Sequence, residues 1–150
     1  MKPITFSLQF RGHAEELDGG LRKQGRAPGC ALVTSLSHQG VAASFVWAPG
    51  EEEAFFESTL SFIEGDGFDE DGAIAFSPGH GLRMQGKGRL DPSPDAHLRH
   101  GTVVWTIVGG EGQFANASGR ITSNFFVSDT GDLTENQLGV VFVSSASHAP

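Results

Sequence analysis

Residues 108–119, reading Val-Gly-Gly-Glu-Gly-Gln-Phe-Ala-Asn-Ala-Ser-Gly, constrain the fold more than any other stretch of the chain. Apolar, β-rich runs flank them at residues 103–108 and 121–127. Glycine reaches backbone conformations closed to other residues. Gly109, Gly110, Gly112 and Gly119 between two strand-like runs therefore mark a turn, a bulge or a close backbone approach. Phe114 is the one large apolar side chain among them, and is expected to plug the end of a barrel or sandwich.

The rest of the chain reads as strands. Ile4, Phe6, Leu8 and Phe10 alternate with Thr5, Ser7, Gln9 and Arg11, the period-2 pattern of a half-buried strand. Residues 12–29 carry charges, glycines and a proline, and read as a long loop in which residues 14–17 can make a helical turn. Residues 30–37 and 41–47 are two runs joined by a hairpin turn, with Pro49-Gly50 after them. Residues 54–64 form a longer run, with Phe56, Ser58, Leu60 and Phe62 on one face and Glu57 on the other. Residues 65–72 read as an acidic turn, 73–76 as a short strand and 82–90 as a strand weakened by Gly86 and Gly88. Pro92 and Pro94 make 91–100 an irregular connection. Asp129-Thr-Gly-Asp is a turn, and residues 138–144 are the last strand, with Leu138, Val140 and Phe142 sharing a face. Residues 145–150 are expected to be a disordered tail.

Eight or nine strands at short spacing predict a single all-β domain over residues 1–150. The expected architecture is an antiparallel, eight-stranded (8–9) β-barrel, with a two-sheet sandwich as the alternative. The composition agrees, with 21 glycines for turns and 12 phenylalanines for an aromatic core.

At the glycine run a resemblance enters. Gly109-Gly110-x-Gly112-x-Phe114-x-x-Ala117-x-Gly119 resembles the signature that joins two neighbouring strands in allene oxide cyclases and plant dirigent proteins. The resemblance implies a calycin-like, eight-stranded barrel that needs no metal or organic cofactor and assembles through its walls into a dimer or trimer. It covers about a quarter of the chain with its flanking strands. Dirigent-type pockets use tyrosine, which this chain does not contain.

Three functions fit such a barrel. The first is a binding module holding a small apolar molecule in its interior. The second is a cofactor-independent isomerase or cyclase of the allene oxide cyclase type. The third is a filled barrel with a structural, oligomeric role. Trp105 (in phase with Val103 and Ile107), Asn124, Phe126 and Phe142 are the candidate ligand-binding residues. Glu57 and His100 are the candidate acid or base; a desolvated Glu57 would have a raised pKa.

Other chemistries find less support. A net charge of −8 repels nucleic-acid phosphates, and the densest basic group, Arg22, Lys23 and Arg26, falls in the expected loop. Residues 110–115 match a relaxed dinucleotide pattern, yet a strand-like run follows where a helix is needed. Residues 81–88 approach a phosphate loop, but Gly88 stands where a hydroxyl must ligate magnesium. The acidic loop lacks the ligand spacing of a calcium site, and His97 and His100 lack the further ligands zinc requires. No metal is expected. Asn116-Ala-Ser118 is a glycosylation sequon expected to go unused, since residues 1–10 hold no apolar block of signal-peptide length, and no nucleophile-elbow motif occurs. Cys30 is the single cysteine, read as a small core residue, and excludes an internal disulfide. No run approaches the roughly 20 apolar residues of a membrane helix, so a cytoplasmic protein free of membranes is expected.

Overall fold

A computed structural model describes residues 1–48, 50 and 52–144. Ten strands follow in chain order: β1 (Lys2–Leu17), β2 (Gly20–Pro28), β3 (Cys30–Ser37), β4 (Gly40–Trp47), β5 (Glu53–Phe62), β6 (Gly67–Ser77), β7 (His80–Pro92), β8 (Leu98–Glu111), β9 (Ser118–Ser128) and β10 (Asp132–Val143). Eight of them close a barrel in the order β1-β10-β9-β8-β7-β6-β5-β2, every described pair antiparallel. The predicted eight-stranded antiparallel barrel is the architecture found. Among the described residues β3 and β4 pair only with each other, as a ribbon inserted in sequence between β2 and β5.

Closure falls to β1. Residues 2–13 pair with β10 and residues 11–17 with β2, so the strand lies along the seam. Strand alternation then sorts side chains into a wall and an interior. An eight-stranded barrel is just wide enough for side chains to fill its centre. Here they do: Phe10, Phe56, Phe68, Trp105 and Phe125 are wholly buried together with Leu21, Leu60, Ile74, Leu82, Met84 and Ile121. The rings meet edge-on or tilted, Phe10 to Phe56 at 5.4 Å and Phe56 to Trp105 at 6.0 Å between centroids.

The glycine run performs both expected tasks. Arg83 of β7 faces Gly109 while Met84 faces Ile107, so β8 bulges at Val108. Gly112 then enters a 3-10 turn, Gly112–Phe114, at φ 61°, and the chain doubles back into β9. Phe114 is buried at this barrel end against Phe76, centroids 4.8 Å apart, and Phe76 meets Phe6 at 5.3 Å.

Two expected loops are strands. Residues 12–29 contain the end of β1 and all of β2, turned by Gly19 at φ 77°. The expected acidic turn at residues 65–72 lies largely in β6. In both places polar and charged residues alternate: Arg22, Gln24, Arg26, Asp69 and Asp71 face solvent, and a wall needs apolar residues only at every second position. Residues 98–100, expected in a loop, begin β8. On β10 the row Leu138, Val140 and Phe142 faces outward, and Leu133, Glu135, Gln137, Val141 and Val143 face inward. The expected tail at residues 145–150, Pro49 and Glu51 lie outside the described residues.

Gly110 sits where a Cβ would come within 2.4 Å of the Phe114 carbonyl oxygen and 2.8 Å of that of Gly81. Gly110→Ala is expected to lower stability by about 1–3 kcal/mol, because backbone must move to admit the methyl group. Urea denaturation checks this, and an unchanged midpoint would show that the bulge tolerates a side chain.

Candidate functional site

Three strands each turn one charged residue into the dry centre of the barrel. On β2 the inward phase is Leu21, Lys23, Gly25 and Ala27; on β6 it is Phe68, Glu70, Gly72 and Ile74; on β10 it is Leu133, Glu135, Gln137 and Gly139. The Lys23 Nζ lies 2.8 Å from Glu70 Oε2 and 2.5 Å from Glu135 Oε1, with all three side chains fully buried. It also stands 3.9 Å from the Phe125 ring centroid, and 5.5 Å and 6.0 Å from those of Phe56 and Trp105. A desolvated cation gains about 2 kcal/mol or more from such a ring face.

Neutral polar groups complete the centre. The Ser58 hydroxyl donates to Glu70 Oε2 at 2.5 Å. Glu135 Oε2 accepts from Ser123 at 3.2 Å and from the Gln137 amide at 2.7 Å, and Trp105 Nε1 donates to Ser123 Oγ at 2.8 Å. Glu135 is thus held by three donors. Glu70 receives both of its hydrogen bonds on Oε2, and its Oε1 is buried with no hydrogen-bond partner among the described residues. Burial pushes the Glu70 carboxyl up to about 7, against the pull of Lys23 and with repulsion from Glu135 adding to the rise. Burial opposes the charge on Lys23, but Glu135 and Glu70 together outweigh it and hold the ammonium above its ordinary range. The centre can therefore keep one proton on Glu70 near neutral pH beside a permanent cation.

The residues expected to form a site fall in three places. Trp105 faces the interior and belongs to this polar centre through Ser123. Asn124, Phe126 and His100 stand together on the outer wall: His100 Nε2 lies 3.2 Å from Asn124 Oδ1, and its ring stacks on Phe126 at 4.9 Å. Phe142 is on the outer wall as well. These residues do not line the interior because their strands carry apolar residues in both phases, and the other phase faces in. Glu57 is also outward and exposed; with Arg22, Asp71 and Arg83 it borders a surface depression of about 710 Å³. A second depression, about 460 Å³, lies at the barrel mouth between Glu16, Arg99 and Asp129. Among the described residues no group of three or more His, Cys, Asp or Glu is placed to hold a metal ion. No helix among them is long and apolar enough to cross a membrane.

Lys23, Glu70 and Glu135 escape a reading that equates charge with solvent. A usable signal exists: each occupies the same phase as apolar or glycine neighbours two residues away.

No protein-family model matches the chain. The chain is 36% identical over 151 residues to a tRNA-2-methylthio-N(6)-dimethylallyladenosine synthase of Alkalilimnicola ehrlichii, a similarity taking in 85% of this chain and 32% of that protein. The chain thus spans about a third of the length of that curated relative. Among solved structures it is similar to the pterocarpan synthase dirigent protein PsPTS1, with a TM-score of 0.52 and 18% identity, over 96% of this chain and 97% of that one. At that identity the likeness concerns the fold: the two chains share a closed β-barrel architecture.

Removing the cation strands two buried carboxyls. Lys23→Ala is expected to cost about 3–5 kcal/mol in urea denaturation, while the joint change Lys23→Met, Glu70→Leu and Glu135→Leu is neutral or stabilising. A loss under about 1 kcal/mol for Lys23→Ala would mean that water reaches the centre.

Glu70 also sets a pH slope. Unfolded, its carboxyl ionises near 4.5; folded, near 7. Between those values the folded chain holds a proton that the unfolded chain has released. This contribution is full below pH 4.5 and is lost as pH rises through 7. The urea midpoint of the wild type is expected to fall across that window relative to Glu70→Gln; parallel profiles would refute the assignment.

Proposed function

We propose that this chain is a self-filled barrel that works as a subunit of a homo-oligomer, with its outer wall as the working surface. The observation that carries this reading is the interior. Its largest side chains, Trp105, Phe10, Lys23, Phe56, Phe68 and Phe125, are each less than 2% exposed. A small apolar ligand at the centre would have to displace those rings and desolvate against the Lys23 cluster. Outside, Val104, Val108, Leu138, Val140 and Phe142 stand exposed. Single exposed apolar residues are ordinary, but a run of them along β8 and β10 suits burial between subunits. The lone cysteine, Cys30, needs no oxidising compartment, and the cytoplasm suits the protein.

A second reading takes the finer likeness to allene oxide cyclases and dirigent proteins and makes the chain a cofactor-independent isomerase or cyclase. One observation favours it: the Glu70 carboxyl holds a proton near neutral pH, and its Oε1 has no hydrogen-bond partner among the described residues. Glu70 would then be the acid and Lys23 the charge that steers a polar group of the ligand. This reading requires the packed interior to open.

Native mass spectrometry of the purified protein separates the two. The expected result is a discrete multimer of the 15.8 kDa chain with no small molecule retained. A monomer carrying one small molecule per barrel, released by Glu70→Gln, would replace the first reading with the second.

A further inference from the structure

The β3–β4 ribbon is built unlike the rest of the chain. From Ala27 to Gly50 the sequence contains no Asp, Glu, Lys or Arg, although 19% of the whole chain is charged. Cross-strand pairing puts Cys30 beside Trp47, Leu32 beside Phe45, Thr34 beside Ala43 and Leu36 beside Val41, all on one face. Phe45 and Trp47 stack on that face, centroids 5.4 Å apart and 11° between planes. The opposite face carries Ala31, Val33, Ser35, Ala42, Ser44 and Val46. The apolar face is nonetheless open: Leu36 is 81% exposed and Val41 70%. Both long edges of the ribbon lack a neighbouring strand among the described residues. A two-stranded ribbon alone is marginal in water and needs a further layer to stand.

The ribbon starts beside a second uncovered surface. At its base the Cys30 thiol lies 3.3 Å from the Ser7 carbonyl oxygen of β1, and Ser7 pairs with Leu138 of β10. The row Leu138, Val140 and Phe142 therefore begins one strand away, 40–53% exposed. The residues paired to it on β1, Pro3, Thr5 and Ser7, are uncharged, and on β9 only Arg120 carries a charge. One chain thus carries an apolar ribbon and an apolar wall anchored side by side, and does not fold the first onto the second.

Resting on the assembly reading, we propose that the apolar face of the ribbon docks on the β10 row of a second copy of this chain, in a reciprocal, two-fold exchange. Two considerations favour a second copy. The first is charge: copies of a chain with net charge −8 repel one another, and the surfaces that meet here are the ones nearly free of charge. The second is area. A ribbon with eight-residue strands is about 27 Å long and presents roughly 300 Å² on one face. Two ribbons and the two walls they cover bury roughly 1,200 Å², enough for a specific dimer. A self-complementary pair of patches closes under a two-fold axis and leaves neither exposed. A bilayer is disfavoured as the occupant, because a spanning strand needs about 9–11 residues and the ribbon has no cation to meet anionic lipid.

The test combines a charged ribbon with a cross-link. Leu36→Lys with Val41→Glu puts opposite charges at paired positions, so the ribbon stays paired while its face becomes polar. Size-exclusion chromatography with light scattering is expected to give a multimer for the wild type and the 15.8 kDa chain for the variant, with the thermal midpoint of the barrel retained. In a Cys30→Ser background, Leu36→Cys and Val140→Cys together are expected to form disulfide-linked dimers under mild oxidation, and neither alone a mixed one. A variant that keeps the wild-type mass, with no cross-link, would overturn the ribbon exchange and leave assembly through another wall standing. A wild type that runs as a single chain up to about 100 μM would overturn both readings, and its binding to phosphatidylcholine or phosphatidylserine vesicles would assign the ribbon to a membrane.

Discussion

An ammonium group enclosed by aromatic rings has to find its counter-charge inside the same enclosure. In this barrel that requirement ties together strands far apart in sequence. Lys23 on β2 is met by Glu70 from β6 and Glu135 from β10, which stand at different points around the wall. Slipping β2 by a single residue would carry Lys23 to the outer face and leave both carboxyls without their cation, and slipping β6 or β10 would leave the ammonium with one of its two partners. The polar centre thus costs desolvation and returns a unique register, the role best attested for buried ionic groups.

The centre also shapes what the barrel can do. Filling the lumen with five aromatic rings around a satisfied cation removes the space in which a barrel of this width holds a ligand. The outer wall, by contrast, is uneven. Gly72 and Ala73 on β6 border a depression lined also by Glu57, Arg22 and Arg83, while β8 and β10 present rows of Val, Leu and Phe. The ribbon adds a further apolar layer beside β1. Interior and exterior are complementary consequences of one alternating pattern, with apolar residues in both phases on β8 and β10.

Much of the barrel was legible where alternation and composition agree. Residues 4–11 declare a strand because four apolar residues share one phase and polar residues the other. Trp105 is placed inside by Val103 and Ile107, and Phe114 by its isolation among glycines. Legibility fails where a charge occupies the inward phase. Residues 20–28 and 67–72 look like loops because Lys23 and Glu70 sit where an apolar residue is expected, and their partner charges lie dozens of residues away. Strand faces are the other blind spot. In residues 138–143 both phases are apolar, and the inward phase is marked by Glu135 and Gln137, the residues a hydrophobicity pattern would send outward. The candidate site is composed of those misplaced charges, so it surfaces only once the register is known.

The seam along β1 carries a kinetic consequence. Its partners at residues 2–13 are residues 132–143, so closing the cylinder requires the first strand to find the last after everything between them has been laid down. Long-range pairing of this kind slows folding, because the entropy of ordering the intervening chain is spent before the final contacts reward it. Until that moment the nascent sheet has two raw edges and an uncharged ribbon hanging from one side. The interval before closure is therefore the one in which open edges and the uncharged ribbon are most prone to misassembly.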